Sequence, residues 1–188
     1  MGKYETFADV TEKIIAILKD GLVPELISDS SHIGVCTPDS MDDLEIGIYL
    51  YRVSIDEDYV VSGMQEIGLR QQTKPPIDFK LKYVILIKTI GENQKRLLQE
   101  QRIMGKITQL LYDNSSIISS DIGLRNAPDM RISFLQPASE DTKNVLLGEK
   151  YQFINALYYE VAPVEIESEI VRNVQRVRDI EMSVVESR

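Results

Sequence analysis

His32 and Cys36, four residues apart, are the side chains of this 188-residue chain best suited to act as base and nucleophile. Each is the sole residue of its type. One histidine and one cysteine exclude a zinc site built from several imidazoles or thiolates. They also exclude an intrachain disulfide, which favours a cytoplasmic origin. No third group completes a triad. His32 lies in a polar Ser-Ser-His-Ile stretch suited to the surface, and Cys36 suits the role of a small buried thiol. The acidic cluster at Asp39, Asp42 and Asp43 lacks the spacing and glycine of a calcium loop and reads as a solvated turn. Neither Gly-x-Gly-x-x-Gly nor a glycine loop ending in Lys-Ser or Lys-Thr is present, so nucleotide cradles are absent. Thirty acidic residues make chance carboxylate pairs inevitable, and such pairs carry no weight. No catalytic, cofactor-binding or metal-binding residue is assigned, and the expectation is a non-enzyme without cofactors.

The remaining composition bounds the class. A chain of this length fits one domain with an appendage, and 43% hydrophobic residues supply a core. A net charge of −9 opposes a phosphate backbone, so no nucleic acid is expected as a partner. No apolar run reaches the ~18 residues of a membrane span, and the N-terminus lacks a signal-peptide pattern. Gly2 and Thr6 meet the bare myristoylation pattern, but nothing else points to a membrane.

Periodicity supplies the elements. Phe7, Val10, Ile14, Ile17 and Leu18 mark an amphipathic helix over residues 6–19, with Gly21 expected at its C-cap and Pro24 beyond. Residues 33–36 suggest a short strand. Leu44, Ile46, Ile48 and Leu50 alternate as one face of a longer strand. Residues 56–74 have no sustained period and are expected to form a long loop, closed by Pro75 and Pro76. The following strand, residues 77–88, alternates Ile77, Phe79, Leu81, Tyr83, Ile85 and Ile87 on one face. It becomes apolar on both faces in its second half, so it runs from a solvated end into the middle of a sheet. Leu97, Met104, Ile107 and Leu111, with Ile103 and Leu110, mark a long helix over residues 92–112. A strand at 130–135, a short helix from Ser139 to Leu147 and a long strand at 151–166 follow. In the last strand Leu157, Tyr159 and Val161 share one face, and Ala156, Tyr158 and Glu160 the other. The tyrosines on these strands, Tyr49, Tyr51, Tyr83, Tyr158 and Tyr159, suit core or interface packing. Residues 167–188 carry a helical stripe of Ile170, Val174, Val177 and Val184, flanked by Arg172, Arg176 and Arg178. The expected division is residues 1–166 as a domain and 167–188 as an amphipathic extension. That extension either docks on its own domain or reaches a neighbour, with Ile170, Arg172, Val174, Arg176, Val177 and Arg178 as the candidate partner interface.

The order of these pieces resembles one family. An amphipathic helix precedes Leu50-Tyr51-Arg52-Val53, then comes a variable loop closed by Pro75-Pro76 and the strand Leu81-Lys82-Tyr83. A helix with Met104-Gly105 and Leu110 follows, then Leu157-Tyr158-Tyr159-Glu160-Val161 and Val164-Glu165-Ile166. The chain resembles the N-terminal domain family of the cap, or tube and sheath terminator, of contractile injection systems, itself similar to contractile phage tail terminators. Tyr51, Arg52, Pro75, Pro76, Tyr83, Tyr158 and Tyr159 are its family-motif positions, with structural roles. Two departures stand out: Val84-Ile85-Leu86-Ile87-Lys88 replaces a Leu-Leu-Thr-like run, and many members continue further beyond the last strand. The resemblance implies an α+β fold, a central mixed but largely antiparallel sheet flanked by helices, with a C-terminal helical extension. It implies a sixfold ring of this chain on the last layers of inner tube and sheath, assembled from the cytoplasm into a particle. A phage head-tail or baseplate adaptor is the alternative within assembly proteins. A small-ligand-binding domain using the 56–74 loop as a lid is the alternative of another class, and it predicts a pocket beside that loop.

Overall fold

The structure is a computed structural model and describes residues 4–41, 43–56, 63–66, 71–89, 93–124, 127–136 and 155–173. Its centre is a six-stranded sheet built from β1 (Ile33–Val35), β2 (Ile46–Ile55), β5 (Ile77–Ile87), β6 (Ser116–Ile117), β7 (Met130–Phe134) and β8 (Asn155–Ile166). The strands lie in the order β1-β2-β5-β8-β7-β6. β1 and β2 run parallel, and every other pair in this sheet is antiparallel. A second sheet of three short strands is ordered β3 (Gln65–Glu66), β4 (Gln71–Thr73) and β9 (Val171–Asn173). Two helices, α1 (Thr6–Leu22) and α2 (Asn93–Asp113), pack on one face of the large sheet. The mixed, largely antiparallel α+β architecture is the expected one.

Helix α1 forms because Val10, Ile14, Leu18 and Leu22 recur every four residues and bury one stripe. Gly21 has a different role from the expected cap. It lies inside the helix, Val23 takes the C-cap, and a methyl group at Gly21 would overlap the Leu110 side chain of α2. The glycine therefore sets the closeness of the two helices. In α2 the buried stripe is Glu100, Ile103, Ile107 and Leu111, while Leu97 is about half exposed. Glu100 takes the inner position because its carboxylate is fully used. Oε1 accepts from the Thr89 backbone N–H at 3.1 Å, and Oε2 accepts from Asn155 Nδ2 at 2.8 Å. A buried carboxylate with such partners ties the helix to the ends of β5 and β8.

The alternation along β5 and β8 divides the core into two layers. Leu81, Tyr83, Ile85 and Ile87 of β5, with Leu157, Tyr159 and Val161 of β8, face the helices. Val84, Leu86 and Tyr158 face the opposite side, where they meet Cys36, Met41, Tyr49 and Tyr51. Met41 reaches this second layer from the turn expected to be merely solvated. β5 passes from exposed Ile77 to fully buried Ile87, as its pattern implies.

Two register shifts adjust the faces. Leu50 pairs with Tyr83 and Arg52 with Lys82, which leaves Tyr51 as the extra residue of a bulge. The shift keeps Val53 and Ile55, opposite Leu81 and Phe79, on the helix-facing side. On β8, Val161 opposes Leu81 and Val164 opposes Phe79, so Ala162 and Pro163 together face Lys80. Pro163 has no N–H for the ladder and fits at such an irregularity.

The long loop expected over 56–74 holds structure of its own, since β3 and β4 pair antiparallel within it. The helix expected from residue 167 does not form in the described part of that segment. Residues 171–173 are extended and pair with β4, Val171 opposite Thr73 and Asn173 opposite Gln71. β-Branched Val171 beside Thr73 suits a strand at least as well as a helix, and the ladder decides between them. The short helix expected at 139–147 lies outside the described residues, as do residues 151–154 of the last strand.

Candidate assembly surfaces

The family-motif residues divide into core and surface. Tyr83 is fully buried, and its hydroxyl lies 3.0 Å from Thr11 Oγ1 of α1. Burial, slightly relieved by that hydrogen bond, pushes its phenol up to about 12. Tyr51 and Tyr158 stack edge to face with ring centroids 6.0 Å apart, and burial raises both phenols. Arg52 is exposed at the bulge, on the same face as its register partner Lys82, whose ammonium lies 3.6 Å from Glu160. Pro75 and Pro76 occupy the link between β4 and β5, where two fixed φ angles stiffen the connection between the sheets. Of the candidate partner interface, Ile170 and Arg172 are exposed at the β9 arm. Val174, Arg176, Val177 and Arg178 lie outside the described residues.

The two side chains suited to base and nucleophile are not brought together as a reactive pair. His32 Nδ1 lies 3.0 Å from Glu45 Oε1. Cys36 is buried beside Met41 and against Gly47, where even a methyl group would overlap its sulfur, and burial raises its thiol pKa. A thiol in that state is a poor nucleophile. Among the described residues no three of His, Cys, Asp and Glu are grouped to hold a metal, and no helix is long and apolar enough to cross a membrane.

Three surfaces stand out among the described residues. The first is the arm β3-β4-β9, whose strand residues are all exposed or half-exposed. Gln65, Glu66, Gln71 and Gln72 give it no apolar layer, and such a small sheet is marginal by itself. The second is the end of the large sheet nearest that arm, where Val53, Ile55 and Ile77 are about half exposed around the Phe7–Phe79 ring pair. The third is a cleft of about 510 Å³ between the last turns of α2 and β7, lined by Thr108, Tyr112, Arg131, Phe134 and Tyr159 among others. None of the described residues of the 56–74 segment lines this cleft.

Residues 9–179 match the family described as the Pvc16 N-terminal domain. The chain belongs to that family. Among curated proteins none matches it. Two solved structures share its fold. One is the sheath/tube terminator of the extracellular contractile injection system PVC in its extended state, at TM-score 0.62 and 15% identity, covering 96% of this chain and 63% of that one. The other is the tube-terminating cap of the anti-feeding prophage, at TM-score 0.64 and 18% identity, covering 94% of this chain and 61% of that one. The chain thus spans under two thirds of either cap protein.

The sequence concealed one electrostatic feature. Asp78 and Glu165 stand directly opposite each other on β5 and β8, so like charges share one cross-strand pair. The backbone N–H of Asp56 donates to the Asp78 carbonyl at 2.8 Å, and the Asp56 carboxylate holds Lys80 at 2.9 Å. One oxygen of the Asp78 carboxylate is buried without a hydrogen bond. Burial raises the Asp78 pKa and nearby Asp56 raises it further; burial, then Asp78 and Glu167, raise that of Glu165. Raised carboxylate pKa values mean that the folded state holds these protons more tightly than the unfolded chain. Their ionisation therefore costs stability as pH rises through the raised values, and protonation recovers it as pH falls. Asp78→Asn should raise the melting midpoint at pH 7 by about 1–2 °C, given ~0.5 kcal/mol for an opposed like pair. The gain should shrink toward pH 4, and differential scanning calorimetry across that range checks both statements.

Proposed function

We propose that this chain is a structural subunit of the cap that closes the tube and sheath of a contractile injection particle. The observation that carries this reading is the family match over residues 9–179, supported by the fold shared with two terminator caps. The chain works as a ring of copies, sixfold as the resemblance implies, made in the cytoplasm and seated on the last layers of inner tube and sheath. Its action is steric and non-enzymatic: the ring satisfies the last open interface of each cylinder and presents no matching face to a further subunit. Head-to-tail contacts between copies close such a ring when the rotation between neighbours closes. The polar arm, the half-exposed Val53, Ile55 and Ile77, and the cleft beside β7 supply several chemically different faces for these contacts. In this reading residues 1–166 form the body of the subunit and residues 167–188 the connecting segment.

The test is removal of the gene from a producing strain, followed by measurement of particle length by electron microscopy. Overlong, ragged or absent particles are expected. Particles of unchanged length that still carry a cap overturn the proposal and favour an adaptor role elsewhere in the assembly.

A further inference from the structure

The outer faces of the two helices carry opposite charge. On α1 the buried stripe of Val10, Ile14 and Leu18 turns Glu5, Asp9, Glu12 and Ala16 the other way, since these recur at i, i+4, i+7 and i+11. None of the three carboxylates has an ion pair among the described residues. Lys13 of the same helix is engaged by Asp121 at 2.9 Å, and Lys19 and Asp20 offset each other in the last turn. On α2 the buried stripe of Glu100, Ile103, Ile107 and Leu111 turns Leu98, Arg102, Gly105, Gln109 and Tyr112 outward. Arg102, and Lys106 on its flank, have no anion among the described residues. Leu98 is 55% exposed and Tyr112 80%. Gly105 lies at the centre of this stripe, where an added methyl group would meet nothing within 4 Å. No neighbour inside the subunit calls for glycine there, and in the middle of a helix it costs about 1 kcal/mol relative to alanine. A bare backbone at that point lets another helix approach to about 8 Å, and Ala16 gives α1 a similarly low point.

We propose that the helix layer is a face-to-face contact between two copies of this chain, the acidic stripe of α1 on one copy lying along the basic, glycine-centred stripe of α2 on the other. Charge complementarity names the occupant, because the same face carries both halves of the match. The helices lie on one side of the sheet and meet through Gly21 and Leu110, so their outer stripes face the same way. One stripe reaches the other only on a copy turned over to face it. The two-fold axis that relates such copies makes the reciprocal helix pair as well. The net charge of −9 opposes association at long range. At 0.1 M salt the Debye length is about 10 Å, so the local match governs the contact. This two-fold pairing differs from the head-to-tail contact of a ring and stands independently of the cap reading.

The test is sedimentation equilibrium of the full 188-residue chain. A mass of two copies is expected at 0.1 M salt. Its association constant should fall at least about tenfold in 1 M salt, where the Debye length is about 3 Å. Asp9→Lys with Glu12→Lys makes both stripes basic, and Arg102→Glu with Lys106→Glu makes both acidic. Each double variant alone should sediment as a monomer. An equimolar mixture of the two should recover the two-copy mass, since both helix pairs are then complementary again. Gly105→Gln should weaken pairing at least about tenfold, while its melting midpoint in 1 M salt stays at or above that of wild type. A wild-type mass of one or of six copies at about 0.1 mM chain, a pair indifferent to either reversal or to Gly105→Gln, or a mixture that stays monomeric would each overturn the inference. None of these results touches the cap reading, which stands or falls on particles lacking the gene.

Discussion

Tyr83→Ala should lower the thermal unfolding midpoint by about 10 °C, the shift that ~3–5 kcal/mol produces in a domain of this size. The side chain is wholly buried and sits opposite Leu50 on one neighbouring strand and Tyr159 on the other. Those strands are held by continuous ladders, so the space left by the ring has little freedom to collapse, and a retained cavity adds to the lost burial. The hydroxyl contributes a smaller share. It donates to Thr11 Oγ1 at 3.0 Å, while the Thr11 hydroxyl donates to the Phe7 carbonyl at 2.9 Å. Tyr83→Phe removes only the first of these bonds and should cost about 1 kcal/mol, or about 2–4 °C. The wild-type phenol adds a pH signature. Burial raises its folded pKa to about 12, so its stabilising share is intact below the unfolded value of about 10 and falls away between the two. Tyr83→Phe should lack this alkaline loss. Equilibrium denaturation of both variants at pH 7 and pH 11 tests the set. A midpoint for Tyr83→Ala within about 2 °C of wild type would mean that the ring does not link α1 to the sheet.

The role of Tyr83 also shows what was legible in the chain. Strict alternation along β5 and β8 was visible as residue type, because every other position is apolar on the helix-facing side. The two bulges were not visible, since an extra residue changes the face of all that follows without altering composition. Val53 and Ile55 mark the β2 shift in retrospect: they continue the face of Leu50 one position out of phase. Glu100 was hidden for a different reason. A carboxylate in a buried stripe is intelligible only once Thr89 and Asn155 are seen to serve it, and neither is near it in sequence. The Gly21 signal was real but misassigned, since a glycine near a helix end marks either a cap or a close approach, and only Leu110 separates the two. The arm was least legible. Its short strands carry glutamines and exposed residues without an apolar face, so pairing is set by backbone geometry beside Pro75 and Pro76. The cleft was not predicted either, because Phe134 and Tyr159 belong to ordinary strand patterns and meet only through the β7–β8 register.

Truncation after Ile166 should leave a folded domain and abolish attachment of the cap, so that particles show the same length defect as those lacking the gene. The expectation follows from what residues 167–173 touch. β8 is complete at Ile166, whose register partner is Ile77 at the first position of β5. Among the described residues, the deletion removes the β4–β9 ladder, the bond from Thr73 Oγ1 to the Ile170 carbonyl at 3.0 Å, the bond from the Ile170 N–H to Ser168 Oγ at 3.2 Å, and an interaction of Glu167. None of these residues is buried. Deletions of this kind, away from the core, shift the midpoint by no more than about 3 °C. A fall of 10 °C or more would place the segment in the core of the domain instead. A second truncation, after Asn173, separates the two uses of the segment. It keeps β9 on the arm and removes residues 174–188. If the arm itself makes the contact, attachment should survive the shorter deletion and be lost only with the longer one. Equal loss from both deletions would assign the contact to residues 174–188 instead. Unchanged particle length and cap occupancy after the longer deletion would remove residues 167–188 from the assembly interface altogether.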